Sequence, residues 1–368
     1  MDIEDIKVGY KLFIVKNNKS RKAEIIGIRK TNDVLEFYVH YIDLNRRLDE
    51  WVTQQNLDLS DPTTIEIPKK KKKLEETSKK QLVSKNTDEN KETNKIKDKE
   101  EEYKMKNIKQ IQFGKYRVEP WYFSPYPKFI SDSDLVYICE FCLFYFPSEE
   151  IFNKHKQKCD IRHPPGKEIY RNNGISFFEI DGYTEPKFCR NLALLSKLFL
   201  DHKSLYYDID VFLFYVLCRV DEFGFSIVGY FSKEKISEQG YNLACILTLP
   251  FEQRKGYGRI LIDFSYMLSK RDNFISGPEK PLSDLGLLSY RTYWLETIVN
   301  YLMQNKKPSV DEISKNLYIS VEDVVSTIYF YGILKLYKGK FVYCINEEQK
   351  QKAKKYNDKK LKEEFLKL

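Results

Sequence analysis

Asn242-Leu243-Ala244-Cys245-Ile246-Leu247-Thr248-Leu249-Pro250 leads, after Phe251-Glu252, into Gln253-Arg254-Lys255-Gly256-Tyr257-Gly258-Arg259, and this junction decides the fold. The first stretch is apolar and predicts a strand over residues 241–249. The second places two glycines ahead of an amphipathic run that predicts a helix over residues 258–268. Glycines there let backbone approach an anion, and the free N–H groups of a helix start favour pyrophosphate. Arg254, Lys255 and Arg259 add counter-charge. An ordinary strand–helix turn reads the same way. The loop lacks the Lys-Ser/Thr ending of a nucleotide P-loop and the third glycine of a dinucleotide fingerprint.

Working outward, strands are predicted over 176–180 and 225–231, and helices over 191–200 and 285–304. Residues 108–346 therefore form one α+β domain. Ahead of it, residues 1–68 carry short β-rich runs at 11–15, 23–29, 36–42 and 48–53, punctuated by Asn17-Asn18 and Asn32-Asp33, which predicts a small strongly bent sheet or barrel. Residues 69–107 hold 14 Lys, 9 acids and one aromatic, too little apolar surface to repay ordering, and read as a linker. Residues 347–368 read as a basic tail. Linker and tail carry net +5 and +3, which accounts for the whole charge of +8. Lysine-rich arms of this kind contact phosphates without reading sequence, or simply solubilise the chain.

An aromatic share of 15% and an apolar share of 42% exclude wholesale disorder. The longest apolar run, 211–218, is far short of the roughly 20 residues that span a bilayer. Met1-Asp2-Ile3-Glu4-Asp5 has neither the basic flank nor the apolar stretch of a signal peptide. Seven irregularly spaced cysteines point to a reducing compartment.

Four of the chemistry-bearing residues are Cys139-x2-Cys142-x12-His155-x3-Cys159, the spacing of a tetrahedral Zn²⁺ site over residues 137–163. The base-reading positions of such a finger would be Ser148, Ile151 and Lys154, a set without a bidentate donor at its centre, so the zinc is expected to be structural. Cys245 is by composition a small buried hydrophobe, or a nucleophile if a cation stands near; none is visible in the local spacing. In Ser276-Gly277-Pro278-Glu279-Lys280-Pro281-Leu282-Ser283-Asp284, Glu279 is held in a stiff loop, suited to a base or to an ordinary turn.

Taken together these segments resemble the MYST family of histone lysine acetyltransferases. The likeness runs through 137–165, Asp201-His202-Lys203-Ser204, Val228-Gly229-Tyr230-Phe231-Ser232-Lys233-Glu234-Lys235, 244–250, 253–259 and 276–291. Residues 6–59, with Phe37-Tyr38-Val39-His40-Tyr41 and Leu48-Asp49-Glu50-Trp51-Val52, resemble the chromo barrel (tudor-knot) of one branch of that family.

The resemblance implies a GNAT-like acetyl-CoA core with a zinc finger, structural Zn²⁺ and a winged-helix-like segment over 308–345. It implies acetyl-CoA as co-substrate, histone tails and nucleosomes as partners, membership of a multiprotein complex, and the nucleus as location. Glu279 then matches the general base and Cys245 the active-site cysteine. Ile246, Leu247, Thr248, Gln253, Arg254, Lys255, Gly256, Tyr257, Gly258, Arg259, Ser283 and Thr292 match coenzyme contacts. Lys203 matches a lysine acetylated within the enzyme itself. In the barrel, Tyr10, Phe13, Tyr41 and Trp51 are either a methyl-lysine cage or core aromatics, and Arg46 and Arg47 suggest RNA or nucleosome contact. A catalytically silent scaffold is the rival reading.

Overall fold

The computed structural model describes residues 3–31, 33–68, 105–201, 203, 208–222, 224–357 and 360–367. The expected linker lies outside them up to residue 104. Tertiary contacts divide the chain into two compact units, one of Met1–Ile111, Glu119–Val136 and Lys197–Asp201, the other of Gln112–Val118, Tyr137–Ser196 and His202–Leu368. No described helix is long and apolar enough to cross a membrane.

In the first unit, β1 (Lys11–Lys16), β2 (Lys19–Thr31), β3 (Val34–Tyr41), β4 (Glu50–Thr53) and β5 (Leu57–Asp58) form a sheet of order β4-β3-β2-β1-β5. Asn17 and Asn18, at φ 51° and 58°, make the two-residue turn that right-handed strand twist prefers. A bulge between Ile25 and Gly27 bends the long β2 around Leu12, Ile14, Phe37, Val39 and Val52, all at most 3% exposed. Leu48, expected in a strand, ends a 3₁₀ turn (Arg46–Leu48), because the Asn45 side chain accepts the Arg47 N–H at 3.0 Å.

The barrel aromatics do not assemble into an open cage. Tyr41 is a core residue whose hydroxyl donates to Glu50 at 3.1 Å, and the Trp51 ring is already covered by the Arg29 guanidinium at 4.0 Å. Arg46 and Arg47 are also engaged, Arg46 with Asp49 at 3.7 Å and Arg47 over Trp121 at 5.9 Å. The unit also contains the one-turn α1 (Lys128–Ser131).

The second unit takes all but the first residue of the short strands β6 (Ile111–Phe113) and β8 (Val136–Ile138), and the whole of β7 (Tyr116–Val118). β8 pairs with β9 (Tyr145–Phe146), and α2 (Glu149–Lys158) packs Phe152 against Phe146. The main sheet is antiparallel and of order β10-β11-β12-β13-β15: β10 (Lys167–Asn172), β11 (Ile175–Asp181), β12 (Phe212–Asp221), β13 (Gly224–Glu234), then β15 (Cys245–Thr248). Between β11 and β12 comes α3 (Pro186–Lys197), which begins before the expected 191 because Pro186 suits a first helical turn. Aromatics fill the sheet's interior, with Phe177 stacked on Phe264 at 3.8 Å.

The strand expected over 241–249 is two strands. β14 (Tyr241–Leu243) leaves the main sheet to pair in parallel with β16 (Gly277–Pro278), while β15 stays on β13. The change falls at Ala244, whose N–H still donates to the Ser232 carbonyl at 2.8 Å.

Two helices follow from the glycine loop and the Glu279 loop, α4 (Tyr257–Arg271) and α5 (Asp284–Gln304). Then come α6 (Val310–Leu317), α7 (Val321–Phe330) and the hairpin of β17 (Leu334–Tyr337) and β18 (Lys340–Tyr343), the elements expected of a winged-helix-like segment. α7 contains no Lys or Arg and starts with Glu322 and Asp323, which fits a supporting role better than groove reading.

Residues 347–368 are not a detached tail. α8 (Glu347–Asn357) buries Ala353 and Tyr356 in the core around α5, and Leu361, Phe365 and Leu366 pack on the core of the main sheet. Composition hid this, since the lysines occupy the exposed positions while a few apolar residues recur at helical spacing. The attachment is polar as well. Asp263, 4% exposed on α4, accepts from the Tyr356 hydroxyl at 2.6 Å, the Tyr293 hydroxyl at 3.3 Å and the Leu361 N–H at 2.9 Å. Burial pushes its carboxyl above the usual range, partly offset by the Tyr356 bond. Tyr356→Phe leaves that carboxylate short of a donor and is expected to cost about 1–3 kcal/mol in urea unfolding, whereas exposed Lys354→Ala should stay within about 0.5 kcal/mol.

Candidate active site and zinc centre

The parting of β14 from β15 gathers the reactive side chains. Where β14 peels away, its Leu243 carbonyl accepts the Glu279 N–H at 2.8 Å, so the glutamate's backbone is fixed to the strand just ahead of Cys245. Cys245 in turn donates its N–H to Ser232 Oγ at 3.3 Å. Glu279 is exposed as a residue, yet its carboxyl is raised above the ordinary value, first by desolvation, then by the nearby Glu234 carboxylate, with Lys203 acting in the opposite sense. The loop is braced from behind: Ser320 donates its N–H to the Ser276 carbonyl at 3.0 Å, and Lys280 reaches Glu322 and Asp323 at 2.9 and 3.1 Å.

Cys245 does have a cationic neighbour. Lys203 Nζ lies 3.7 Å from its Sγ, across 42 residues of chain. This corrects the expectation drawn from local spacing, which only registers neighbours in sequence. Tyr230, 1% exposed, stands beside both. Tyr230 and Ser232 were not singled out as site residues. Their alternation on β13 opposite Leu247 and Cys245 was the available signal.

The glycine loop caps β15. Gln253 donates its side-chain N–H to the Thr248 carbonyl at 3.2 Å, and a Cβ on Gly258 would come within 3.3 Å of Thr248 Oγ1. Gly256 sits at φ 96°, a left-handed conformation that sets the turn into α4. Among the described residues, the N–H groups of Lys255, Gly256, Tyr257 and Gly258 make no backbone bond, as an anion cradle requires. Ile246 and Thr248 are half-buried, Ile246 packing on the core of the main sheet, while Leu247 is buried.

The cations of the loop are not all turned to it. Arg259 was expected to supply counter-charge, but its guanidinium meets Glu296 and stacks on the Tyr356 ring at 3.7 Å. Only its backbone remains near the turn. Lys255 is held by Glu252 at 2.9 Å, and Arg254 is exposed. Ser283 caps α5 by accepting the Gly286 N–H at 3.1 Å, and Thr292 donates to the Leu288 carbonyl at 2.9 Å. Both hydroxyls, expected at the coenzyme, are thus used within the helix in this structure.

The zinc ligands come together as the spacing requires. The donor atoms of Cys139, Cys142, His155 and Cys159 all lie within 4.8 Å of one another, the knuckle supplying two and α2 and its end the others. Three soft thiols and one imidazole suit tetrahedral Zn²⁺, and the cysteines form no disulfide. Phe146 lies 4.7 Å from the His155 ring and, with Phe152, builds the core of the finger. Lys154 is paired with Glu150 at 2.6 Å, and Ile151 is 47% exposed.

Comparison with known proteins matches this architecture segment by segment. The MOZ/SAS family model matches residues 163–367, the MYST family zinc finger domain residues 105–159, and the RNA binding activity-knot of a chromodomain residues 6–59. The chain belongs to the MYST (MOZ/SAS) family. It is 42% identical to histone acetyltransferase mst1 of Schizosaccharomyces pombe, over 98% of this chain and 91% of that one. It is 44% identical to histone acetyltransferase ESA1 of Saccharomyces cerevisiae, over 94% and 88%, and 42% to ESA1 of Yarrowia lipolytica, over 99% and 89%. This MYST protein is an acetyl-CoA-dependent histone lysine acetyltransferase, and its Cys₃His cluster fits a structural zinc.

Because the zinc ties the knuckle to α2, removing a ligand should unfold the finger rather than delete a DNA contact. Cys142→Ser is expected to lose the metal, measured by atomic absorption, and to lower the melting temperature. Retained melting with selectively lost DNA binding would overturn the structural reading.

Proposed function

We propose that acetyl transfer in this enzyme proceeds by direct attack of the acceptor lysine on the acetyl thioester, with Glu279 as general base. The observation that carries it is the raised carboxyl of a glutamate whose backbone is locked beside Cys245. An amine of pKa near 10.4 is almost wholly protonated at neutral pH and cannot attack. A carboxylate with its affinity for protons raised toward the working pH is the better acceptor for that proton. The C–N bond forms as the proton leaves for Glu279, and the C–S bond breaks with departure of the coenzyme thiolate. Cys245 lines the pocket with its sulfur turned toward Lys203. The backbone N–H groups of 255–258 hold the pyrophosphate, the strand Ile246–Thr248 faces the pantetheine, and Gln253 and Arg254 complete that side.

Lys203 is the site of self-acetylation in this reading. It is half-buried, and among the described residues no carboxylate pairs with it, so acetylation removes a charge that lacks a partner. Histone tails on nucleosomes are the substrates, in the nucleus and within a multiprotein complex. Barrel and linker lysines and arginines supply non-specific contact to DNA or RNA.

Glu279→Gln should lower kcat by about 10² or more near neutral pH, with little change in KM for acetyl-CoA. The sign of the wild-type pH profile follows from the raised carboxyl: activity is full above its pKa and is lost as pH falls through it, at a higher pH than for an ordinary glutamate. Raising the pH should partly rescue the variant by supplying free amine. Rapid-quench trapping of acetyl-Cys245 that decays at the rate of product formation would sink direct attack in favour of a covalent route.

The loop makes a separate prediction. Gly256→Val forces a branched side chain into φ 96°, at a cost of roughly 1–2 kcal/mol or more. KM for acetyl-CoA should rise about tenfold, with KM for a histone peptide nearly unchanged.

A further inference from the structure

Side chains alternate along a strand, so Tyr230, Ser232 and Glu234 share one face of β13. Tyr230 stands by Lys203, and Ser232 holds the Cys245 N–H. Glu234 continues the row. It is half-buried, and among the described residues no lysine or arginine is paired with it. Its two neighbours spend their charges elsewhere, Lys233 on Asp272 at 3.1 Å and Lys235 on Asp181 at 2.6 Å. Ser232 is the register partner of Cys245, and Glu234 lies two residues beyond it, on the strand that packs against β14, whose Leu243 carbonyl holds Glu279. Both residues therefore border the point where β14 parts from β15, and the Glu234 charge acts on the Glu279 carboxyl. Lys203, at Cys245, acts on Glu279 in the opposite sense, and Lys280 is turned away to Glu322 and Asp323 of α7.

We propose that Glu234 is a positioning residue for acetyl transfer, forming with Glu279 a paired-carboxylate seat for the ammonium of the incoming lysine. Two anions held together by the fold repel one another, and a cation entering between them relieves that repulsion. The pair therefore favours a charged lysine over a neutral side chain, and it raises the proton affinity of Glu279, which must take the proton. Glu234 itself moves no proton and keeps its charge throughout. This inference rests on Glu279 being the base.

The test is kinetics of the full chain on a histone-tail peptide across pH, for Glu234→Gln and Glu234→Asp, with melting temperatures recorded. In Glu234→Gln the acid limb of kcat/KM should move to lower pH, because the repulsion on Glu279 is gone. KM for the peptide should rise about two- to fivefold, the worth of one partly exposed charge pair, while KM for acetyl-CoA stays put. Glu234→Asp, which keeps the charge, should return the limb toward wild type. An acid limb that does not move in Glu234→Gln overturns the proposal, as does a limb shifted equally in Glu234→Asp and Glu234→Gln, which would mark a packing role. Glu279→Gln is run alongside: wild-type kcat there would sink the base itself, whatever Glu234 does.

Discussion

The active site depends on one local conflict in hydrogen bonding. A strand can ladder to only one neighbour on each edge, and the run from Tyr241 to Thr248 is claimed by two sheets. The chain resolves this at Ala244, giving its first three residues to β16 and its last four to β13. Ser232 bridges the break, its carbonyl serving Ala244 and its hydroxyl serving Cys245, so few polar groups are stranded. Because β16 is the start of the Glu279 loop, the same parting that exposes Cys245 brings the glutamate to it.

The second half of the site, the turn from β15 into α4, is steadied from a distance. Arg259 begins α4 and is bound on its far side by Glu296 of α5 and by the Tyr356 ring of α8. Four residues on, Asp263 collects Tyr293, Tyr356 and Leu361. The helix that presents free N–H groups at its start is thus clamped along its first two turns by α5 and by the C-terminal segment. A guanidinium sharing a carboxylate and an aromatic face is a rigid contact, because its planar fork leaves little freedom once both are met.

What the sequence conveyed, and what it did not, follows from how far each signal reaches along the chain. The zinc ligands, the glycine loop and the Glu279 loop are short motifs whose chemistry is local, and each was legible. Barrel strands were legible too, since one buried face imposes alternation and Asn17-Asn18 marks the turn. The parting at Ala244 was not, because nothing in an unbroken apolar run says which partner each residue will have. Lys203 beside Cys245, Glu296 beside Arg259 and Tyr356 beside Asp263 are tertiary pairings separated by dozens of residues, and no periodicity encodes them. The segment beyond residue 346 misled for a different reason. Its lysines dominate the composition, but five apolar side chains decide its fate. Trp51 shows the converse, an aromatic whose chemistry suggested an open cage and whose face the protein's own Arg29 occupies.

The clamp on α4 also has a history in time. Asp263 is synthesised 93 residues before Tyr356 and 98 before Leu361. At about 5–20 residues per second, a ribosome takes roughly 5–20 s to deliver those partners. Throughout that interval α4 carries a carboxylate destined for burial with none of its C-terminal donors yet made, and Arg259 lacks the ring it will rest on. The polar anchorage of α4 is therefore completed only after most of the core has been translated. A chain that stopped short of Tyr356 would keep α4 and its coenzyme turn but lack the hydroxyl, the ring and the N–H that steady them.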